Sequence, residues 1–287
     1  MNEVNIVEFP KLGLEFTVNK IAFSIFGLNV YWYGIIISIG FITAIFLGMR
    51  NSKKFGIDPD NVVDLVLFAA PAAIIGARLY YVIFNWGEFN GDIVKIIDIR
   101  RGGLAIYGGL IAAVLVTYIF AKVKNIELLK LLDFGIPYFI LAQAIGRWGN
   151  FVNQEAFGGN TDLPWGMRSG ATRSYLQSLR QSGLDVNPEL PVHPAFLYES
   201  LWNIGVFLFL IWYRKRYKIR GEVFFLYMIL YGIGRAWIES LRTDSLYIGP
   251  FRVSLLLSLV FVVVFSIVFI IRRRRNSNED SLKDDMY

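Results

Sequence analysis

The sequence predicts an all-α polytopic membrane protein: seven transmembrane helices, with a small extracytoplasmic cap between spans 4 and 5. Three observations carry this. Of 287 residues, 55% are hydrophobic and only 18% charged, outside the usual range of soluble domains. Seven apolar stretches are each about 20 residues long, the length that crosses a bilayer. More than half of the 29 Lys and Arg fall in four short stretches that alternate with the other connections along the chain, the positive-inside pattern.

The spans are expected at 31–50, 62–86, 104–121, 130–147, 196–213, 222–241 and 251–271. The first opens with YWYG, whose three aromatic residues are of the kind found at membrane interfaces. The basic stretches are 50–61, 122–130, 214–222 and the tail from 272, which opens RRRR. An odd number of spans puts the termini on opposite sides, so the N-terminus is expected outside and the C-terminus in the cytoplasm. The outer connections are then 1–30, 87–103, 148–195 and 242–250. The 148–195 connection, interrupted by Pro164, Pro188, Pro191 and Pro194, reads as a polar outer cap. One membrane domain over 1–271, including that cap and the 1–30 outer segment, is followed by a basic-then-acidic tail over 272–287. The sequence shows no internal repeat and no intramembrane Gly-x-x-x-Gly. The first thirty residues lack the features of a cleaved signal peptide.

Composition also excludes chemistry. With no cysteine the chain has no disulfide, thiolate metal site or cysteine nucleophile, so a thiol reaction needs a thiol brought by the substrate. One histidine, His193, excludes a histidine-rich metal centre, and neither a metal nor a cofactor is expected. The formal charge of +6 reads as topology and as attraction to anionic membrane lipids, not as nucleic-acid binding.

Charges inside apolar segments require a reason, because burying one in hydrocarbon is costly. In the sixth span, Tyr231, Arg235, Glu239 and Arg242 are spaced 4, 4 and 3, which stacks them on one helical stripe. The plainer reading is an Arg235–Glu239 pair at i, i+4 that neutralises itself. Arg147 stands at the outer end of the fourth span, where Gly149 is expected to lead the chain out of the helix in GRWGNFVNQEAFGG. Two arginines from separate spans suit a bidentate clamp on a phosphate, hence a lipid headgroup; the alternative is an Arg147 that only snorkels to the surface. Glycine pairs surround Tyr107 in RRGGLAIYGGL, residues 100–110. His193 and Pro194 are expected to open the fifth span as a cap followed by proline at the first helical position, with Glu199 close behind. A transporter or receptor with seven helices and an anionic ligand would also want arginines in a cavity, but it would distribute its charges across the membrane.

Taken together, YWYG, RGGLAIYGG, GRWGNFVNQEAFG, HPAFLYES and YGIGRAWIESLR, in this order over nearly the whole chain, resemble prolipoprotein diacylglyceryl transferase, a bacterial inner-membrane enzyme family. The resemblance implies transfer of diacylglycerol from phosphatidylglycerol to the lipobox cysteine on a prolipoprotein signal peptide, giving a thioether and releasing glycerol phosphate, the first step of lipoprotein maturation. It implies catalytic roles for Arg147, Arg235 and Tyr107. It further implies lipid contacts for Arg147, Asn150, Glu155, Gly158, Tyr33, Tyr231 and Glu239; His193, Glu199 and Arg242 are read from their positions as structural or supporting residues. One departure stands out: many members have histidine where this chain has Tyr107, and a phenol is a far weaker base at neutral pH than an imidazole.

Overall fold

The computed structural model describes residues 5–99, 102–243, 247–248 and 251–284. Arg100 and Arg101 of the RRGG motif lie outside them, as does most of the 242–250 connection. Long helices occupy all seven predicted stretches. They are α1 (Trp32–Ser52), α2 (Pro59–Phe84), α5 (Ile106–Val123), α6 (Leu128–Asn153), α8 (Ala195–Tyr213), α9 (Glu222–Leu241) and α10 (Val253–Asp284). Between them lie the short α3 (Trp86–Phe89) and α4 (Ile93–Ile97), and the amphipathic α7 (Gly170–Gln181). Six are long and apolar enough to cross a membrane, which makes the chain a polytopic membrane protein. The remaining long helix, α9, is less apolar because it carries Arg235 and Glu239. The helix α10 continues through the four arginines into the predicted tail.

The chain forms two compact units, Met1–Ala44 with Ile136–Tyr287, and Ile45–Gly135. In the second, α2 begins at Pro59 behind Asp58, whose carboxylate accepts from Asp60 N (3.0 Å), a cap followed by proline at the first helical position. Small residues weld α2 to α5: a Cβ on Gly108 would lie 2.3 Å from Gly76 O, and one on Gly76 would lie 2.5 Å from Ala112 Cβ. Backbones thus touch without a Gly-x-x-x-Gly in either helix. At the far end of this pair Lys124 meets Asp64 at 2.9 Å. Arg78, an intramembrane charge on α2 that the sequence reading passed over, gives all five guanidinium N–H groups to backbone carbonyls. The acceptors are Lys95, Ile96, Asp98, Gly102 and Gly103, at 2.7 to 2.9 Å. It fixes the stretch that leads into α5.

In the first unit the segments outside the long helices are not merely polar. Strand β1 (Asn5–Phe9) pairs antiparallel with β2 (Leu14–Val18) and with β5 (Arg168–Ser169), so the N-terminal segment and the predicted cap share one small sheet. Val7, Phe9, Val18, Phe157, Met167, Leu176, Val192 and Phe196 form its core. Ser169 and Thr172 cap α7 reciprocally, and Arg168 binds Glu8 at 2.6 Å. A hairpin, β3 (Ile21–Ile25) and β4 (Leu28–Tyr31), turns through Phe26 and Gly27, both at positive φ, and feeds α1. A third pair, β6 (Tyr247–Ile248) and β7 (Phe251–Arg252), precedes α10. The helical fold class stands, and these strands are an addition to it: they are too short and too interrupted to leave a period-2 pattern in the sequence.

Candidate active site

Three helix ends meet in the first unit: the C-terminal end of α6, the start of α8 and the C-terminal end of α9. Ser200 Oγ on α8 donates to Ala144 O on α6 (2.9 Å), and Trp202 Nε1 donates to Leu230 O on α9 (3.0 Å). Gly234 makes room for that indole, since a Cβ there would fall 2.1 Å from Trp202 Nε1. The helix α1 reaches α6 through glycines as well. A Cβ on Gly40 would lie 3.0 Å from Ala142 O, and one on Gly149 would lie 2.8 Å from the Tyr33 ring.

At the meeting point stands Glu199, whose side chain is 6% exposed. Its Oε2 binds Arg147 Nη2 at 2.7 Å; its Oε1 binds Arg235 Nη1 at 2.9 Å and lies 3.6 Å from Arg242 Nη1. Arg235 Nη2 also meets Glu239 at 2.6 Å. The i, i+4 pair on α9 is therefore present, but as one edge of a network that joins three helices. Two guanidiniums from separate helices thus converge on one carboxylate in a poorly solvated place, with Arg242 beside them. Such a site is suited to a phosphate monoanion. Arg252 adds a hydrogen bond from its guanidinium to Glu239 O.

A second polar chain runs out from Arg147. Its Nη1 lies 3.5 Å from Asn150 Oδ1; Asn150 Nδ2 donates to Glu155 Oε1 (2.8 Å), which also accepts from Asn153 Nδ2 (3.2 Å). The predicted Arg147, Asn150, Glu155, Arg235, Glu239, Glu199 and Arg242 are thus brought into one connected group. Tyr33 packs on Gly149, and Tyr231 stacks on Tyr227 (5.7 Å between centroids); among the described residues neither has a hydrogen bond within the network. Tyr107, in the first turn of α5, belongs to the other unit, where its hydroxyl has no hydrogen bond among the described residues.

Two expectations need correction. Gly149 does not end a helix: α6 continues to Asn153, and the glycine is there because the Tyr33 ring rests on it. The left-handed exit is made by Gln154 (φ 55°) and Ala156 (φ 56°), neither of them glycine. His193 does not cap α8, whose N-cap position is taken by Pro194. The His193 ring turns instead to Tyr198, with Nδ1 3.2 Å from the hydroxyl, which also accepts from Trp165 Nε1 at 2.8 Å. Burial lowers the His193 pKa below 6.5. These three residues stand at the rim of an otherwise apolar cavity of about 870 Å³ beside α8 and α9. Gly158 has a packing role: its N–H donates to His193 O (2.8 Å), and a Cβ would lie 2.6 Å from Leu241 O.

Sequence comparison agrees over nearly the full length. The family model for prolipoprotein diacylglyceryl transferase matches residues 20–271. Proteins named phosphatidylglycerol–prolipoprotein diacylglyceryl transferase from three bacteria are close relatives. That of Clostridioides difficile is 42% identical over 92% of this chain and 99% of its own length. That of Finegoldia magna is 45% identical over 86% of this chain and 92% of its own. That of Bacillus cytotoxicus is 45% identical over 94% and 97% respectively.

Proposed function

The chain belongs to the prolipoprotein diacylglyceryl transferase family, and from that premise we propose how its arginine cluster serves the family reaction. The enzyme is a transferase: it moves diacylglycerol from phosphatidylglycerol to a prolipoprotein. The acceptor is the thiol of the lipobox cysteine in the precursor's signal peptide, which accounts for a sequence with no cysteine of its own.

Sulfur attacks the terminal glycerol carbon that carries the phosphodiester, the C–O bond breaks toward the phosphate oxygen, and a thioether forms. The thiol proton is delivered in the net reaction to the released glycerol phosphate. A phosphate monoester leaves poorly from carbon unless its growing charge is met. Arg147 and Arg235 meet it, with Arg242 behind them, from opposite helices and in a water-poor place where oriented donors are most effective. Glu199 keeps both forks aimed at one point until the phosphodiester competes for them. Asn150 and Glu155 carry the headgroup contact outward, Gly158 holds the junction on which the site is built, and Tyr33, Tyr231 and Glu239 complete the wall. The group that takes the thiol proton is one of three: Tyr107, Glu155 or the released phosphate oxygen itself.

The same reading sets the topology: seven spans in the bacterial inner membrane, N-terminus outside, cytoplasmic C-terminus, and the 148–195 cap outside. Alternation of the basic stretches supports it. Phosphatidylglycerol and the membrane-anchored precursor then both reach the site laterally from the surrounding membrane lipids. The observation that carries the reading is the convergence of Arg147 and Arg235 on one buried carboxylate. Incubation of the purified chain with phosphatidylglycerol and a lipobox peptide yields the mass of a diacylglyceryl adduct. A Cys→Ser peptide yields none. An unmodified cysteine peptide in the presence of the donor lipid refutes the proposal.

A further inference from the structure

A second groove, of about 840 Å³, runs beside α1 in the first unit. Its lower wall is a strip of Ile35, Ile39 and Ile42, spaced 4 and 3 so that they share one helical face; Ile39 and Ile42 are 49% and 65% exposed. Tyr33 and Asn153 also line the groove, and Lys20 lines it at the turn between β2 and β3. The position of Lys20 is fixed by its backbone: Lys20 O accepts from Trp32 N at 3.0 Å, tying the turn to the start of α1. Its ammonium has neither an ion pair nor a hydrogen bond among the described residues, whereas Lys11, in the neighbouring hairpin, donates to Asp162 O.

We infer that this groove is a docking site for an anionic phospholipid, with Lys20 as the cation that selects its headgroup. A free ammonium above a lipid-facing apolar strip matches a molecule with a negative head and acyl tails. A zwitterionic lipid brings an ammonium of its own next to Lys20 and loses that match. Asn153 makes the groove more than a surface feature. It lines the groove and also begins the chain Asn153, Glu155, Asn150, Arg147, with contacts of 3.2, 2.8 and 3.5 Å, that ends at the arginine cluster. The groove is thus the side of the first unit from which a phosphate-bearing lipid finds continuous polar contacts toward Arg147. This assignment rests on the reading of the arginine cluster as a phospholipid site, and it adds the place where that lipid is first chosen.

The test uses the full chain in phosphatidylcholine bilayers containing a small fraction of phosphatidylglycerol that carries a photoactivatable diazirine in one acyl chain. Crosslinks are mapped by mass spectrometry. Labelling concentrates on the α1 peptide containing Ile35, Ile39 and Ile42. It falls about fivefold in Lys20→Gln, the Boltzmann weight of one near-surface basic residue, falls further in Lys20→Glu, and is kept in Lys20→Arg and in Lys11→Gln. The corresponding phosphatidylcholine probe labels the wild-type peptide no better than the phosphatidylglycerol probe labels Lys20→Gln. Free glycerol phosphate does not displace the label. Equal labelling by both lipids, an unchanged Lys20→Gln, or displacement by glycerol phosphate overturns the proposal. Because labelling needs no turnover, a failure here is separable from a failure of the transfer reaction, which the peptide adduct reports.

Discussion

Glu199 holds Arg147 through one carboxylate oxygen and Arg235 through the other, at 2.7 and 2.9 Å. One buried acidic side chain on α8 thereby sets the separation and aim of two guanidiniums carried by α6 and α9.

Replacement of Glu199 by Ala removes the one buried carboxylate that Arg147 and Arg235 share. Removing one partner from a buried ionic network costs about 3–5 kcal/mol, so the variant unfolds in detergent at a clearly lower temperature and transfers little lipid. Glu199→Gln, which keeps the volume and one acceptor, lies between. An unchanged melting temperature in Glu199→Ala contradicts the structural role.

Arg147→Lys and Arg235→Lys retain the charge and discard the planar fork. Both are expected to fold, because an ammonium still pairs with Glu199, yet each loses transfer activity by about 100-fold or more, the usual effect of removing one oriented donor. Rates with saturating phosphatidylglycerol and lipobox peptide decide the matter. A variant within a few-fold of wild type removes that arginine from the chemistry.

Gly158→Ala places a methyl group 2.6 Å from Leu241 O and 2.9 Å from His193 Cβ, both held by the packing of the junction. Overpacking of this kind costs about 1–3 kcal/mol and shifts Arg242, which follows Leu241 directly. Lower thermal stability and reduced transfer are expected together. Wild-type values for both would show that the junction yields freely.

The His193 pKa is lowered by burial, so the folded protein resists a proton that the unfolded chain accepts. Its contribution to stability is complete above pH 6.5 and is lost as the pH falls through the lower folded value. Melting temperatures measured from pH 7 down to pH 5 therefore drop more steeply for the wild type than for His193→Gln. Parallel profiles would exclude the histidine.

Tyr107→Phe removes only the hydroxyl from a side chain that is 38% exposed, so the fold is unaffected. If the hydroxyl carries the proton, transfer slows by about 100-fold, the lower end for a group on a proton path. A rate equal to wild type shows that the phenol contributes nothing to the chemistry.

Much of this could be read from the chain, and the exceptions have identifiable causes. All seven predicted stretches are helical because apolar length and charge distribution are local properties that a bilayer reads directly. The stripe of Arg235 and Glu239 was visible from helical period alone, and Arg78 stood in plain view as a charge within an apolar run. The small sheet was hidden, since β5 is only two residues long and pairs with a strand far away in sequence. Gly149 misled because a glycine near a helix end usually marks an exit, whereas here it accommodates the Tyr33 ring.

The sequence by itself determined that the chain is a helical membrane protein, that its charges gather near particular helix ends, and that its motifs belong to one family. Only the tertiary structure decided that Glu199 is the centre of the cluster, that Gly149 lies inside α6, and that Lys20 lines a groove beside α1. The reason is physical. Hydropathy and periodicity act along the chain, but an ion pair between helices exists only where small residues, such as Gly234 under Trp202, allow those helices to approach.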